Sequence, residues 1–227
     1  MIKTLLNLLF PKPCSGCGTT LLESEHLVCT HCRHDMPFTQ HHLDNNNETA
    51  KKFRGRLPVE HASSVVYFHK EGIVQGLIHN LKYRGKEEIG SMIGEWYVHD
   101  LKEIEALKDV TEIVPVPLHR KRLRQRGYNQ VEGFGKALAE GLGKTYNDDI
   151  LLRTQYTKTQ TKKNLAARAE IINESFDVSP TDSDKGKHFL LVDDVITTGA
   201  TLEACGKALL KIPGAKVSII TMAYAHS

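Results

Sequence analysis

The chain has 227 residues, of which 40% are hydrophobic and 25% are charged, and its formal net charge is +3. This length allows one large domain or one domain with a small appendage, and the composition is that of a soluble globular protein. No apolar run approaches the roughly 20 residues of a membrane-spanning helix, so we expect no membrane span. A charge this small does not by itself indicate a nucleic-acid partner.

The first ten residues superficially resemble a secretory signal. However, Asn7 interrupts the apolar run, Pro11 ends it, and no small-residue cleavage site follows. We therefore expect a short helix packed on the body of a cytoplasmic protein.

Two Cys-x2-Cys pairs follow, with eleven residues between them: Cys14, Cys17, Cys29 and Cys32. In a reducing compartment this spacing is typical of a tetrahedral zinc site, and four thiolates leave no open position for catalysis, so the zinc would be structural. Two disulfides or a redox pair are the alternatives. His31 and His34 lie close enough in sequence to replace one thiolate.

Composition divides the chain into three parts. Residues 1–38 form a metal module too small for a core without its zinc. Residues 39–60 are polar and rich in His and Asn, which indicates a linker or an extended arm. Residues 61–227 form the main domain.

The main domain alternates strand and helix patterns. In chain order we predict a strand at 62–68, a helix from Ile73 to Gly85, a longer helix from Ile89 to Leu107, a strand at 112–117, a helix at 129–142, strands at 150–152 and 189–192, a helix ending before Pro213, and a strand at 217–224. This order predicts an α/β domain with a mostly parallel sheet.

The most informative segment runs from Phe189 to Thr201. Four apolar residues predict a buried strand, and two carboxylates, Asp193 and Asp194, follow where that strand should end. A loop of small residues then leads into a helix: Thr197, Thr198, Gly199, Ala200 and Thr201. Loop amides and a helix N-terminus suit a phosphate, and carboxylates suit ribose hydroxyls, so the segment predicts a sugar-phosphate site. The alternative is a polar turn with Thr201 capping an ordinary helix.

Two further segments are rich in cations. Five cationic side chains occupy seven positions from Arg120 to Arg126, after a predicted parallel strand, at the edge where α/β sheets bind ligands. Pyrophosphate or nucleic-acid phosphates fit such a segment, and an exposed basic loop is the alternative. Residues 157–168 carry four cations, and we interpret them as a mobile lid or an ordinary loop.

Together these segments resemble the ComF/GntX-like family, also described as ComFC-type competence proteins, over essentially the whole chain. The matching motifs are Leu8-Leu9-Phe10-Pro11-x2-Cys14-x2-Cys17, Cys29-x2-Cys32, Leu81-Lys82-Tyr83-Arg84-Gly85, Val114-Pro115-Val116-Pro117, Arg126-Gly127-Tyr128-Asn129-Gln130, Thr157-x2-Gln160 and Asp193-Asp194-x2-Thr197-Thr198-Gly199-x-Thr201. One departure concerns the lid, where Asn173 follows Arg168 at a longer interval than the family commonly has.

The resemblance implies a zinc ribbon joined to a type I phosphoribosyltransferase domain that binds phosphoribosyl pyrophosphate (PRPP) with Mg2+. Asp193 and Asp194 would bind the ribose 2′ and 3′ hydroxyls, and residues 197–201 would hold the 5-phosphate. The pyrophosphate loop would consist of Pro117, Leu118, His119 and Arg120.

Two functions follow from this resemblance. The first is phosphoribosyl transfer to an unknown acceptor with release of pyrophosphate, linked to DNA uptake in natural competence. The alternative is a non-catalytic protein of DNA uptake that binds single-stranded DNA, or contacts other DNA-uptake proteins, and has a regulatory or vestigial PRPP site.

Overall fold

A computed structural model describes residues 11–154 and 176–226 of the chain. The helix expected within residues 1–10 and the lid expected at 157–168 lie outside these residues. The described strands are β1 (Ala62–Phe68), β2 (Glu112–Pro115), β3 (Thr145–Tyr146), β4 (Leu151–Arg153), β5 (Phe176–Val178), β6 (His188–Ile196) and β7 (Lys216–Ala225).

The helices of the described residues connect and cover these strands. They are α1 (Thr30–His34), α2 (Glu48–Lys51), α3 (Ile73–Tyr83), α4 (Glu88–Leu101), α5 (Arg120–Arg126), α6 (Glu132–Leu142) and α7 (Ala200–Leu209). Single 3-10 turns lie at His41–Leu43, Glu105–Leu107 and Asp182–Asp184. None of the described helices is both long and apolar enough to cross a membrane.

Five parallel strands form the main sheet in the order β1-β7-β6-β2-β3, which confirms the predicted α/β class. Alternate residues of β6 enter two separate cores. Leu190 and Val192 pack with α3, α4 and α6, whereas Phe189 and Leu191 pack with α7. Because both faces are covered, the strand has the continuous apolar run that identified it in the sequence.

Three predicted elements differ from the structure. The second helix ends at Leu101, and Leu107 belongs to a separate 3-10 turn. The strand predicted at 150–152 is β4, which pairs antiparallel with β5 outside the main sheet. The basic segment forms a helix, α5, none of whose side chains is buried.

The polar segment 39–60 packs against the main sheet. Phe53 and Leu57 are buried in the core on the α7 side. The Asn47 side chain donates to the carbonyl of Ala62 at 2.8 Å, and its carbonyl caps α2 by accepting from the Ala50 N–H. The division of the chain at residues 38 and 60 stays a prediction.

Candidate sugar-phosphate site and zinc ribbon

The four paired cysteines meet in space. Their sulfur atoms all lie within 4.8 Å of one another, and the Sγ atoms of Cys17 and Cys29 are 3.8 Å apart. Tetrahedral zinc with Zn–S bonds of about 2.3 Å requires sulfur atoms about 3.8 Å apart, so this donor set fits the metal. All the cysteines in the described residues are free thiols, as a metal site requires.

Backbone groups support the sulfur atoms as ligands. Cys14 Sγ accepts from the N–H groups of Gly16 and Cys29 at 3.4 and 3.2 Å. Hydrogen bonds from Thr19 lower the pKa of the Cys17 thiol to about 6, which favours the thiolate that binds zinc. The two candidate substitutes, His31 and His34, are exposed and lie against Asp35 instead.

The first cysteine turn rests directly on α3. A Cβ at Gly76 would lie 2.4 Å from the carbonyl oxygen of Gly16, so only glycine allows this contact. The Asn80 side chain donates to the Ser15 carbonyl at 2.8 Å, and Lys86 Nζ donates to the Ser15 hydroxyl at 3.2 Å. Helix α3 and the turn after it thereby hold the first cysteine turn, and the Arg33 guanidinium, 5.7 Å from the Trp96 ring centroid, adds a contact with α4.

The acid pair lies within β6, not after it. Strand β6 continues to Ile196 because β7 pairs with it as far as Tyr224. On its other side the pairing with β2 ends at Val192. Asp193 and Asp194 therefore lie in a stretch of β6 that is paired with β7 on one side and with no strand on the other. The unpaired side faces the residues that follow β2.

Asp194 is buried and already has several donors. Its Oδ2 accepts from Lys82 Nζ and from Gln130 Nε2, both at 2.9 Å, and its Oδ1 accepts from the Val195 N–H at 2.6 Å. The Gln130 amide oxygen in turn accepts from Arg126 at 2.5 Å. These partners come from α3, α5 and the turn before α6, so they hold the carboxylate on that face of the sheet.

Asp193 is half-buried and points to the opposite face, because successive residues of a strand alternate. Burial raises the pKa of its carboxyl to about 8, and the neighbouring Asp194 charge adds to the effect. The positive charges of Lys82 and of Arg153 in β4 oppose this rise. The two carboxylates thus have different surroundings, and Asp193 is the one without a cationic hydrogen-bond partner among the described residues.

The small-residue loop, residues 197–201, forms a cup at the start of α7. Gly199 has a φ of 77° and occupies the N-cap position, so Thr201 lies inside the first turn and does not cap the helix. The loop residues, Asp193 and the adjacent backbone line a cavity of about 50 Å³. The first N–H groups of a helix lack intrahelical acceptors, so this cavity suits an anion.

The segment after β2 reaches the same edge of the sheet. The Val116 N–H donates to the carbonyl of Val192, one residue before the acid pair. Pro117 and Leu118 are half-buried, His119 and Arg120 are exposed, and His119 caps α5 through the Lys121 N–H. The structure thus brings the beginning of the predicted pyrophosphate loop next to the acids, as expected for strands with parallel neighbours.

A cleft of about 480 Å³ separates the end of α3 from α5. Its lining is mainly cationic and aromatic, and the described residues contribute no acid to it: Lys82, Tyr83, Gly85, Arg122, Gln125, Arg126 and Tyr128. The Arg126 guanidinium lies 5.3 Å from the Tyr83 ring centroid, and Tyr83 is 67% exposed. Lys82 belongs both to this cleft and to the Asp194 ion pair.

Sequence reasoning assigned no role to Lys82, Gln130 or Arg153. Lys82 and Gln130 stand within motifs that carried the family resemblance, which is the signal that could have identified them. Arg153 had no such signal, because only the pairing of β4 with β5 brings it near Asp193.

Comparison with known proteins agrees with these two sites. A family model described as the phosphoribosyl transferase domain matches residues 133–227, and the double zinc ribbon domain matches residues 5–43. A crystal structure of adenine phosphoribosyltransferase from Leishmania tarentolae matches 80% of this chain and 89% of its own at 15% identity, with a TM-score of 0.40.

Three curated relatives are similar in sequence. Competence protein F of Haemophilus influenzae is 26% identical over 93% of this chain and 90% of its own length. Competence protein ComFC of Bacillus subtilis is 26% identical over 93% of this chain and 83% of its own. DNA utilization protein YhgH of Escherichia coli is 29% identical over 63% of each chain. The chain therefore joins a double zinc ribbon to a domain of the type I phosphoribosyltransferase fold, and it is similar over most of its length to two competence proteins.

Proposed function

We propose that the protein binds PRPP at the edge shared by β2 and β6 and transfers its phosphoribosyl group to an acceptor, releasing pyrophosphate. The observation that carries the proposal is the position of the acid pair, in the part of β6 that pairs with β7 but not with β2. This stretch is followed at once by the cup at the start of α7 and flanked by the exit of β2. Phosphate, ribose and pyrophosphate then have adjacent places in the order in which PRPP carries them.

The cup supports the proposed 5-phosphate role of Thr197, Thr198, Gly199, Ala200 and Thr201. Thr197 and Thr198 are exposed, so their hydroxyls are accessible to a ligand. The positive end of the α7 dipole adds a favourable interaction with a phosphate.

The acids would bind the ribose unequally. A carboxylate has about four positions for donors, and Asp194 already accepts three hydrogen bonds. A ribose hydroxyl would take the remaining position on Asp194, whereas Asp193 accepts only the Asp194 N–H at 2.8 Å among the described residues. We expect Asp193 to make the stronger contact.

The pyrophosphate would lie by Pro117, Leu118, His119 and Arg120, with Lys82 within reach of the same opening. Mg2+ bound with the pyrophosphate would neutralise part of the negative charge of that group. In the described residues, the four cysteines are the only group of three or more side chains that could ligate a metal. We therefore expect Mg2+ to be brought by PRPP, and Asp193 is the acid with room for a further partner. A nearby cation would favour the ionised form of the Asp193 carboxyl, whose pKa burial raises to about 8.

In the reaction, the bond between the anomeric carbon and the pyrophosphate oxygen breaks, and its electron pair leaves with pyrophosphate. A nucleophile of the acceptor forms a new bond to that carbon. The residues of this chain would act by position and charge: carboxylates beside a ribose that becomes cationic, and cations beside the leaving group.

Calorimetric titration of the zinc-loaded protein with PRPP and Mg2+ tests the proposal. We expect binding that falls at least about tenfold in the double variant Asp193→Asn/Asp194→Asn, since charge-assisted hydrogen bonds are lost. The matched control is Asp182→Asn, a carboxylate whose side chain is 96% exposed and which lies in the turn before β6, at the end of the strand opposite to the acid pair. Absence of binding, or equal binding by the double variant, would contradict the proposal. A screen of acceptors for pyrophosphate release then tests the transfer step.

The second candidate function is binding of single-stranded DNA, favoured by the cationic cleft with its exposed Tyr83. A cation next to an exposed ring suits phosphates and stacked bases. Binding should weaken steeply with salt and fall when Arg120, Lys121, Arg122 and Arg124 are neutralised together. Unchanged affinity in that variant would exclude these four cations of α5 as the DNA site, and unchanged affinity in Lys82→Met/Arg126→Met would exclude the cleft. We place either activity in the cytoplasm, in accord with the free thiols of the described residues.

A further inference from the structure

Part of the polar segment 39–60, with the exposed Arg56 and the buried Phe53, lies against the small-residue loop 197–201, which we call the phosphate loop after its proposed ligand. Among the described residues, Arg56 contacts three groups: its Nη1 donates to the carbonyls of Lys52 and Thr198, both at 3.0 Å, and its Nη2 pairs with the Glu203 carboxylate. Arg56 and Thr198 are 142 positions apart in the chain. The guanidinium therefore joins the polar segment, the loop and the first turn of α7.

The Phe53 ring makes a second, apolar contact with the same loop. Phe53 is fully buried, and a Cβ at Gly199 would lie 3.3 Å from its ring. Gly199 is the residue whose positive φ turns the loop into α7. The segment thus supports both the residue that bends the loop and the carbonyl just before it.

Charge explains why a cation is needed at this position. Glu203 stands in the first turn of α7, close to where a phosphate would bind, and it would repel that phosphate. Arg56 and Lys207, whose Nζ lies 2.6 Å from Glu203 Oε1, both pair with this carboxylate. The Thr198 carbonyl would also repel an anion if it faced the cup, and its hydrogen bond with Arg56 directs it toward the polar segment.

We propose that Arg56 is a positioning residue for the phosphate loop, and that the segment from Asn47 to Leu57 contributes to phosphate binding at the sugar-phosphate site. Arg56 holds the Thr198 carbonyl away from the cup and offsets the Glu203 charge, so that the loop presents N–H groups to the phosphate. This inference rests on the proposed function, because it concerns the same ligand.

The experiment is calorimetric titration of the full-length, zinc-loaded protein with ribose 5-phosphate and with PRPP and Mg2+. We expect Arg56→Ala to raise Kd for both ligands about tenfold, as the loss of charge-assisted hydrogen bonds predicts. Arg56→Lys should give an intermediate Kd, because lysine keeps the charge but cannot donate to three groups in the fork geometry of arginine. Arg56→Lys also tests the proposal if Arg56→Ala fails to fold.

The matched control is Arg54→Ala, an exposed arginine of the same segment that contacts Asn46 and should leave Kd unchanged. A purely structural role of Arg56 would lower the unfolding temperature with no change in Kd, and that result overturns this inference alone. An equal rise of Kd in Arg54→Ala also overturns it. A wild-type protein that binds neither ligand overturns the proposed function as well.

Discussion

The zinc ribbon and the sheet edge are both built from polar groups, but they depend on their ligands in opposite ways. The ribbon brings four thiols together and has few other buried residues to hold it. The edge lies between two apolar cores and keeps its geometry through β7, α3 and α6. The comparison indicates that zinc is part of the ribbon's fold, whereas the sheet edge keeps its geometry through contacts within the protein.

The largest effect is expected from loss of a zinc ligand. Cys32→Ser, at a fully buried position, should abolish zinc binding and unfold the ribbon, because small metal modules lose their folding free energy with the metal. Metal analysis and proteolysis within residues 11–38 measure this. Cys205→Ala, which removes a buried thiol outside the ribbon, should retain zinc. A Cys32→Ser protein with an intact, protease-resistant ribbon would overturn the comparison.

The next effect concerns the ion pair at the edge. Lys82→Met should lower the free energy of unfolding by about 2–3 kcal/mol, because it removes the cationic partner of the buried Asp194. Denaturant unfolding measures it. The double variant with Asp194→Asn should lose less than the sum of the two single variants. Strict additivity would show that the two groups do not stabilise each other.

A third prediction tests whether the main domain has a pH response of its own. Burial lowers the pKa of His61 to about 4, and its ring pairs with the Ser63 hydroxyl at 2.9 Å. The unfolded chain binds a proton near pH 6.5 and the folded chain near pH 4. Stability therefore falls as pH drops through this window, by up to about 3 kcal/mol.

His61→Gln should reduce that pH dependence, and His34→Gln, at an exposed position, should not. Part of the dependence should remain, because burial also lowers the pKa of His41 and of His188. The stability of both variants should be measured as a function of pH with zinc-loaded and with zinc-free protein. A pH dependence that disappears with the zinc would mean that the main domain is not independent of the ribbon.

The smallest effect is expected at the opposite end of the sheet. Asp184 accepts hydrogen bonds from Lys187 Nζ at 2.7 Å and from the Thr181 N–H at 2.6 Å, and the pKa of its carboxyl is lowered to about 2, with Lys187 the largest cause. The contribution of the Asp184 carboxylate to the free energy of unfolding is complete above its pKa in the unfolded chain, about 4. It is lost as pH falls toward 2. Asp184→Asn should cost about 2 kcal/mol at neutral pH and nothing at pH 2, as measured by thermal or denaturant unfolding.

The sequence predicted most of the strands and the position of the acid loop, because buried strands and a glycine turn are local signals. It misplaced the end of β6, since the continuation through Asp193 and Asp194 depends on pairing with β7. Lys82, Gln130 and Arg56 were missed for the same reason: each meets its partner across a long stretch of chain. The roles assigned to the individual site residues stay predictions.

The basic segment shows a different kind of miss. Its positive charge was interpreted only in terms of the phosphate ligands that the segment could bind. The same arginines, with Lys121 and Leu123, are good helix formers, and they form α5 with Gly127 in the left-handed conformation at its end. Propensity, not charge, determined the local structure there.

Helix α3 has a consequence for how the two sites communicate. Asn80 bonds to the first cysteine turn, and Lys82, two residues later, bonds to Asp194. One helix of eleven residues therefore links the metal module to the acid pair for which we propose ribose binding. If zinc loading shifts the affinity for PRPP by some factor, PRPP must shift the affinity for zinc by the same factor. If the protein binds PRPP as proposed and zinc raises that affinity, a shortage of zinc would weaken PRPP binding, and abundant PRPP would help the protein to retain its metal.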